Sequence, residues 1–401
     1  MIITMGSKGM FFNGAHETIS SSSSSKLIRY NNNNNKISNN SFIPCSRRRY
    51  TPKPPHAHHV QQDLLHMDHG TRDNYKLLYR QHNYMNEGSD DVYSFFMLSP
   101  DHKNGRCFSL EKNYYCLPNH RFEKRSYPSR ILGSFNGILC LEDQFESGNV
   151  VLWNPVTDEL KSLPPSCIEP TPDVSNTFFS SGFGFDARSG DYKVLRSVQH
   201  RYETCNGQFS ESTHHFELYS LKNDSWRPIL NPVDVVFPPL GLQTNVNGFC
   251  YMAFRTKVLS FDFADEVFSA LPLPPVTLVF FLCGIDGSTL HIIDYKALPM
   301  DIKRFDIWSW KSSEWRWSKV DSFVLEGVDR PLSLWGRDKC FLEGNNHQLL
   351  LFDLTTRELK PLGIKDYPVE HPLSFMESKL VPFVESTVSI KQQSKTMGQR
   401  C

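Results

Sequence analysis

From residue 75 onward, apolar and polar positions alternate in short blocks that repeat. Five segments share one pattern: an aromatic residue, a polar turn of Asn, Asp, Ser, Thr or Lys, then an apolar residue seven positions after the aromatic and usually a second at ten. They open at Trp153, Tyr219, Phe261, Trp308 and Phe352, and their offset-seven residues are Leu160, Trp226, Phe268, Trp315 and Leu359. A weaker sixth runs from Phe108 to Tyr115. Each unit predicts a β-hairpin, because an apolar strand enters a turn and returns through a strand bearing the offset-seven residue. A further strand is predicted ahead of several hairpins, over Asn136–Glu142, Asp191–Val198, Asn247–Phe254, Gly287–Asp294 and Asp338–Gly344.

The hairpins open 45, 66, 42, 47 and 44 residues apart. Three or four short strands in about 45 residues is the period of a β-propeller blade, and no blade can bury both its faces alone. The fold expected is therefore all-β, a β-propeller-like ring of about six to seven blades over residues 75–384. Residues 368–384 are expected to supply the strand that closes the ring, with 385–401 as a flexible C-terminal tail. A β-sandwich is the alternative that the regular spacing disfavours. The 66-residue interval holds a long polar stretch, 199–215, and long loops in compact domains are commonly functional.

Charge divides the chain. Lys plus Arg and Asp plus Glu both number 43, yet residues 1–62 carry eight basic groups and one acidic, so a +7 leader precedes a −7 body. The leader contains a run of serines at 20–25 and of asparagines at 31–35, tracts too polar to offset chain entropy by burial. It is expected to be a disordered low-complexity segment. Its composition also allows a transit peptide, its Arg47–Arg49 run a contribution to nuclear import, and His56, His58 and His59 stand among prolines that make a poor metal cage.

The ten cysteines are scattered with no CxxC pair, which argues against structural zinc and for reduced thiols in the cytoplasm or nucleus. No apolar run is long enough for a membrane helix, and a mildly acidic body does not make a nucleic-acid groove. No nucleophile elbow, HExxH or phosphate loop is present. Asp186, Asp191, His214, His215, Asp262, Asp294 and Asp353 lie near predicted strand ends, where aspartates bond local backbone. No catalytic residue, metal ligand or cofactor is expected. A propeller hydrolase or oxidase is the alternative from another class.

The ordered blocks 131–142, 151–164, 182–198, 216–229, 246–254 and 258–274, continuing through 305–315 and 349–364, resemble the plant F-box-associated interaction domains, including those of S-locus F-box proteins. The resemblance implies a substrate-recognition subunit of a Skp-cullin-F-box (SCF) ubiquitin ligase that performs no chemistry itself. Its partners would be a protein target, with S-locus-type ribonucleases one class, a Skp-type adaptor and a cullin. In that family a helical F-box precedes the domain. Residues 61–80 do not carry its pattern of Leu-Pro pairs and tryptophan, which leaves adaptor binding without its usual element. A box-less regulatory or decoy protein is the second reading. Candidate partner contacts are His200, Arg201, Tyr202 and Phe209 in the long stretch, and Trp310, Arg330, Trp335 and Arg337 elsewhere.

Overall fold

A computed structural model describes residues 76–83, 92–100, 108–116, 130–142, 148–169, 174–202, 213–230, 243–276, 280–283, 289–365 and 380–393. The leader, Phe209 and the cysteines at 45, 107, 205 and 401 lie outside them. The described residues build six four-stranded antiparallel sheets, so the ring has six blades.

Blade 1 holds β1 (Lys76–Asn83), β2 (Val92–Pro100) and β3 (Phe108–Cys116). Blade 2 follows with β4 (Arg130–Phe135), β5 (Ile138–Glu142), β6 (Val150–Asn154) and β7 (Glu159–Ser162), and blade 3 with β8 (Val174–Asp186), β9 (Asp191–Tyr202), β10 (Thr213–Ser220) and β11 (Ser225–Ile229). Blade 4 contains β12 (Gln243–Val246), β13 (Phe249–Ala253), β14 (Lys257–Asp262) and β15 (Val267–Pro272). Blade 5 contains β16 (Phe280–Cys283), β17 (His291–Leu298), β18 (Ile302–Lys311) and β19 (Arg316–Glu326). Blade 6 contains β20 (Val328–Trp335), β21 (Lys339–Gly344), β22 (Gln348–Asp353) and β23 (Leu359–Lys365). Then β24 (Leu380–Phe383) returns to blade 1, pairing Lys76 with Phe383 and Tyr79 with Leu380. The only described helix, α1, is the short segment Ile390–Gln393.

The sequence makes this ring because its middle strands are apolar on both faces. Ile138, Cys140 and Leu152 pack with Phe183, Tyr192 and Val194 of blade 3, while Leu139, Leu141 and Trp153 pack with Leu78, Met97 and Val381 of blade 1. Each of the six gaps between neighbouring blades is filled by its own cluster in this way. A strand buried on both faces reads as a continuous apolar run instead of an alternating one. Full burial of one such side chain contributes about 1.5–3 kcal/mol. In blade 3, Gly182 and Gly184 let blade 4 approach: a Cβ there would overlap Cys250 and Phe263.

Antiparallel order gives the ring two ends. Turns joining third to fourth strands lie at one, the hairpin end, with those joining first to second. The other connections leave from the opposite, loop end. At the hairpin end one turn design recurs. Trp153 faces Leu160, Tyr219 faces Trp226, Phe261 faces Phe268 and Phe352 faces Leu359 across the ladder. The residue five after each aromatic takes a positive φ: Asp158 at 54°, Asp224 at 50°, Glu266 at 56° and Arg357 at 62°.

Blade 5 follows the same rule with Trp315 at φ 50° and Trp310 facing Trp317. The unit of blade 5 therefore starts at Trp310, two residues beyond the expected Trp308. Both pairs satisfy an offset of seven, and only the turn residue separates them. The expected hairpin at Phe108–Tyr115 is instead the single strand β3, along which a bulge opposite Phe96 absorbs Lys112–Tyr114. Packed residues also continue past 384, where a flexible tail was expected. Asn154 donates to the carbonyls of Ser386 (2.9 Å) and Val388 (2.8 Å), Glu159 accepts from Ser389 Oγ and the Ile390 amide, and Ile390 is fully buried.

Candidate partner-binding face

The loop end carries the largest departure from the regular blade. Ser180 of β8 lies level with the first residues of β4 and β12: its hydroxyl reaches Gln243 Oε1, which also accepts from Arg130. Above that level β8 continues through Val174–Phe179, β9 through Val198–Tyr202 and β10 through Thr213–His215. Six residues of strand add about 20 Å. Blade 3 therefore projects beyond its described neighbours, and much of the stretch read as a loop from 199 is strand.

Side chains alternate on this projection. Toward blade 2 point Thr177, Phe179, Val198 and His200, and toward blade 4 point Phe178, Gln199 and His214, as their cross-strand pairing requires. His200 is 3% exposed, its Nδ1 lies 3.0 Å from Thr177 Oγ1, and its ring is 5.9 Å from His215. Burial, with help from His215, holds its pKa below the ordinary histidine value. Tyr202 is half-buried, with its hydroxyl 3.4 Å from Thr213 Oγ1, and Phe178 is 45% exposed. Arg201 sits on β9 opposite Asn176.

The base of the projection is fixed by buried charge. Arg196 pairs with Glu217 at 3.2 Å, donates to the Gly148 carbonyl at 2.7 Å and lies 4.1 Å over the Trp226 ring. Burial lowers the Arg196 pKa, against the pull of Glu142 and Glu217. The second Glu217 oxygen accepts from Ser166 Oγ (3.0 Å) and the Cys167 amide (2.9 Å), which anchors the connection from β7. Cys167 is exposed, and its thiol is pushed up to about 11 by partial burial and by Glu217. Arg130 pairs with Glu142 at 3.8 Å, and Ser181 donates to the same carboxylate. Across the axis Asn245 Nδ2 reaches the Leu132 carbonyl at 3.4 Å, so the inner strands of blades 2 and 4 meet there.

The expected contact residues do not form one site. His200, Arg201 and Tyr202 belong to the projection, and Phe209 lies outside the described residues. His200 is corrected from loop contact to buried strand residue. Trp310 is buried against Trp315 and Trp317 between blades 4 and 5, and it is corrected to a packing residue. Arg330 is 9% exposed and bonded to Glu343 at 2.7 Å, so it too serves the ring. Trp335 is half-buried and Arg337 exposed at the β20–β21 turn, which is at the hairpin end. Sequence reasoning missed Thr177 and Phe178, whose signal was only an uncharged β-prone run ahead of Ser180.

Of the groups weighed for catalysis, Asp186, Asp262 and Asp353 accept backbone N–H groups two and three residues on, as turn aspartates do. Asp191 accepts from Ser220 Oγ and the Lys222 amide, bracing the same end. Among the described residues no cluster of three or more His, Cys, Asp or Glu side chains has metal-binding geometry. No described helix is long and apolar enough to cross a membrane.

A closed ring of six four-stranded antiparallel sheets defines a β-propeller domain. A family model described as F-box associated beta propeller domain matches residues 82–390, and the chain belongs to that family. Similar proteins include F-box protein CPR1 of Arabidopsis thaliana, 27% identical over 294 residues that cover 64% of this chain and 69% of that one. F-box protein At3g07870 from the same plant is 27% identical over 51% of this chain and 55% of its own length. F-box/kelch-repeat protein At3g17530, also from Arabidopsis thaliana, is 30% identical over 41% and 42%. The chain thus spans between about two-fifths and two-thirds of these relatives. Among solved structures, an oligogalacturonate lyase in complex with manganese superposes with a TM-score of 0.41 at 11% identity, over 73% of this chain and 85% of that one. That likeness is too slight to bear on function.

Proposed function

We propose that this chain is the substrate-recognition subunit of an SCF-type ubiquitin ligase, a non-catalytic platform that holds a protein target at the loop end of the ring. The observation that carries the reading is membership of the F-box-associated propeller family over residues 82–390, together with relatives named F-box proteins. The polarity of the ring supports it. The chain enters β1 at the hairpin end, where Lys76 pairs with Phe383 and lies 3.5 Å from Glu385. An adaptor-binding element ahead of Lys76 would join opposite the projecting blade. The ring would then set the distance between adaptor and target, and its contribution to ubiquitin transfer would be proximity and orientation.

The resemblance to S-locus relatives makes secreted ribonucleases one target class to try, and the chain would act in the cytoplasm or nucleus. The test is reconstitution of the full chain with a Skp-type adaptor, a cullin and a RING subunit, alongside a version carrying a family F-box ahead of Tyr75. Adaptor capture and ubiquitination of a protein that binds the ring are expected from at least the second version. If neither version changes the ubiquitination of any bound protein, the reading fails. A target half-life that lengthens on overexpression of the unmodified chain identifies a decoy instead.

A further inference from the structure

We infer that the raised face of blade 5 is where the ring takes hold of its target, and that it fits an acidic segment carrying large apolar side chains. This rests on the reading that targets bind at the loop end, and adds which surface binds them and what it selects. Toward that end β17 and β18 run on together. β18 begins eight residues before its turn aromatic Trp310, whereas β14 begins four before Phe261. Four more residues of strand carry the hairpin about 13 Å beyond that of blade 4. Blade 4 ends low: Pro272, the last residue of β15, accepts from Trp317, which stands level with Trp310.

The two faces of this extension are unlike. Tyr295, Phe305 and Phe323 form a row across β17, β18 and β19 that packs against blade 6. The alternate residues face the side of blade 4, which packs only lower down, on Ile292, Trp310 and Trp317. Above that packing stand Lys296, Arg304 and Val324 in one row, and Leu298, Ile302 and Glu326 in the next. Val324 is 54% exposed, Leu298 38%, and Met300 at the tip 82%. Single exposed apolar residues are ordinary, whereas several together around the half-buried Ile302 mark a contact surface.

The tip holds Met300 outward. Met300 and Asp301 both take positive φ, 62° and 57°. Asparagine, aspartate or glycine usually fills such turn positions, so Asp301 is ordinary and Met300 is not. An unfavourable backbone conformation persists only where surrounding contacts enforce it, and such residues gather at functional sites. Here Asp301 accepts from Asn345 of blade 6, and Lys303 donates to the Asp329 carbonyl at 2.6 Å and its carboxylate at 2.8 Å. The hairpin is thereby fixed before a partner arrives, which lowers the entropy lost on binding.

Charge on the face selects the partner. Asp306 accepts from Arg304 at 3.2 Å, Lys319 at 2.8 Å and Ser322, so one carboxylate serves two cations. Lys296 is exposed beside Arg304 and makes no ion pair with any described residue. The face is thus basic on an acidic body, with Glu326 at its rim the other carboxylate of these rows. Acidic side chains of a target meet Lys296 and the outer nitrogens of Arg304. Large apolar ones cover Leu298, Ile302 and Val324 beneath Met300, whose unbranched thioether adjusts to the shape it meets. Apolar contact supplies affinity, and the cations supply orientation and encounter rate.

The experiment pans a random peptide library displayed on phage against the full chain and measures the enriched peptides by fluorescence anisotropy. Enriched sequences are expected to combine several Asp or Glu with Leu, Ile, Phe or Trp. Lys296→Glu and Met300→Asn should each weaken their binding about tenfold, and Arg337→Glu at the hairpin end less than about twofold. Asparagine suits a positive φ, so Met300→Asn should unfold at the same or higher denaturant concentration than the parent while binding falls. A merely structural role for Met300 would not separate the two. Added salt should weaken binding to the parent more than to Lys296→Glu. No enriched sequence, enrichment of sequences without acidic residues, or binding unmoved by either substitution overturns the inference. If a reconstituted ligase ubiquitinates its target equally well through the Lys296→Glu, Met300→Asn double variant, the face is refuted while the proposed function stands. If the double variant loses the peptides but no version of the ligase ubiquitinates any bound protein, the face stands and the proposed function fails.

Discussion

The two ends of the ring solve different problems with the same strands. At the hairpin end, five turns repeat one geometry and adjacent blades are tied by side chains. Lys161 meets Asp224 at 2.8 Å, and Arg188 meets Asp265 at 2.6 Å. Both guanidinium arms of Arg357 hold Asp321. Lys193 reaches Asp186, the Phe263 carbonyl and Glu266, each at 2.9 Å. Even the tryptophans repeat: Trp226 donates to the Pro164 carbonyl and Trp317 to that of Pro272, both at 2.7 Å, each from one outer strand to the end of the preceding blade's. At the loop end, strands stop at unequal heights, and blade 3 rises past the level at which β4 and β12 begin. One end is committed to holding the circle, which leaves the other free to vary in length and surface.

That contrast can be broken from either side. The largest effect is expected at the base of the projection. Arg196→Met leaves Glu217 buried without its cation and should cost about 3–5 kcal/mol, whereas Arg196→Met with Glu217→Leu should recover most of it. Denaturant unfolding of the single and double variants measures both. A double variant as unstable as the single one would mean that the pair does more than neutralise itself.

Next in size is Asn154→Ala at the hairpin end. It removes a turn acceptor and two donors to carbonyls of the C-terminal segment, and a loss of about 2–4 kcal/mol is expected. Increased proteolysis between 384 and 393 should accompany it. Trp226→Phe and Trp317→Phe each forfeit one bond to a proline carbonyl and part of a packed ring, for about 1–2 kcal/mol. If the hairpin end is a true repeat, the two values should agree within about 0.5 kcal/mol.

The pH response discriminates more finely. Burial would raise the Asp353 pKa, but the Thr356 and Thr355 amides and Lys339 outweigh it and lower it to about 2. Asp186 and Glu266 are likewise held below ordinary carboxylate values, burial being outweighed by Ser189 and Lys193 at the first and by Lys193 and Arg227 at the second. A carboxylate depressed on folding contributes stability that is full above its unfolded pKa and disappears as pH falls through the folded one. Stability should therefore decline from about pH 4 toward pH 2, and Asp353→Asn should flatten part of that slope in acid titrations of thermal unfolding. The smallest effect belongs to Arg337→Ala, exposed at a hairpin-end turn. It should change stability by less than about 0.5 kcal/mol, measured by denaturant unfolding.

The ring was legible from the sequence because interblade packing demands large aromatics at fixed offsets, and those survive in every blade from 2 to 6. Blade 5 was misaligned since four tryptophans at 308, 310, 315 and 317 satisfy the offset twice, and only backbone conformation at Trp315 decides between them. The projecting strands were hidden for another reason. His200, Gln199 and Thr213 look like loop residues by polarity, yet they lie in strands there because their main chains continue the β8–β9–β10 ladder, in which His200 stands between Thr177 and Thr213. The C-terminal segment escaped notice because what holds it is Asn154 bonding to main-chain carbonyls, which leave no mark in composition.

The strand that completes blade 1 sets the order in which the protein can be made. About 300 residues separate β1 from β24, so at about 5–20 residues per second the first blade waits about 15–60 s on the ribosome for its innermost strand. During that interval Leu77, Leu78 and Met97, all fully buried in the finished ring, have neither β24 nor blade 6 to cover them. Biosynthesis should therefore be limited by chaperone protection of the nascent first blade. A release factor or stop codon acting just before Leu380 would deliver an open ring to the degradation machinery.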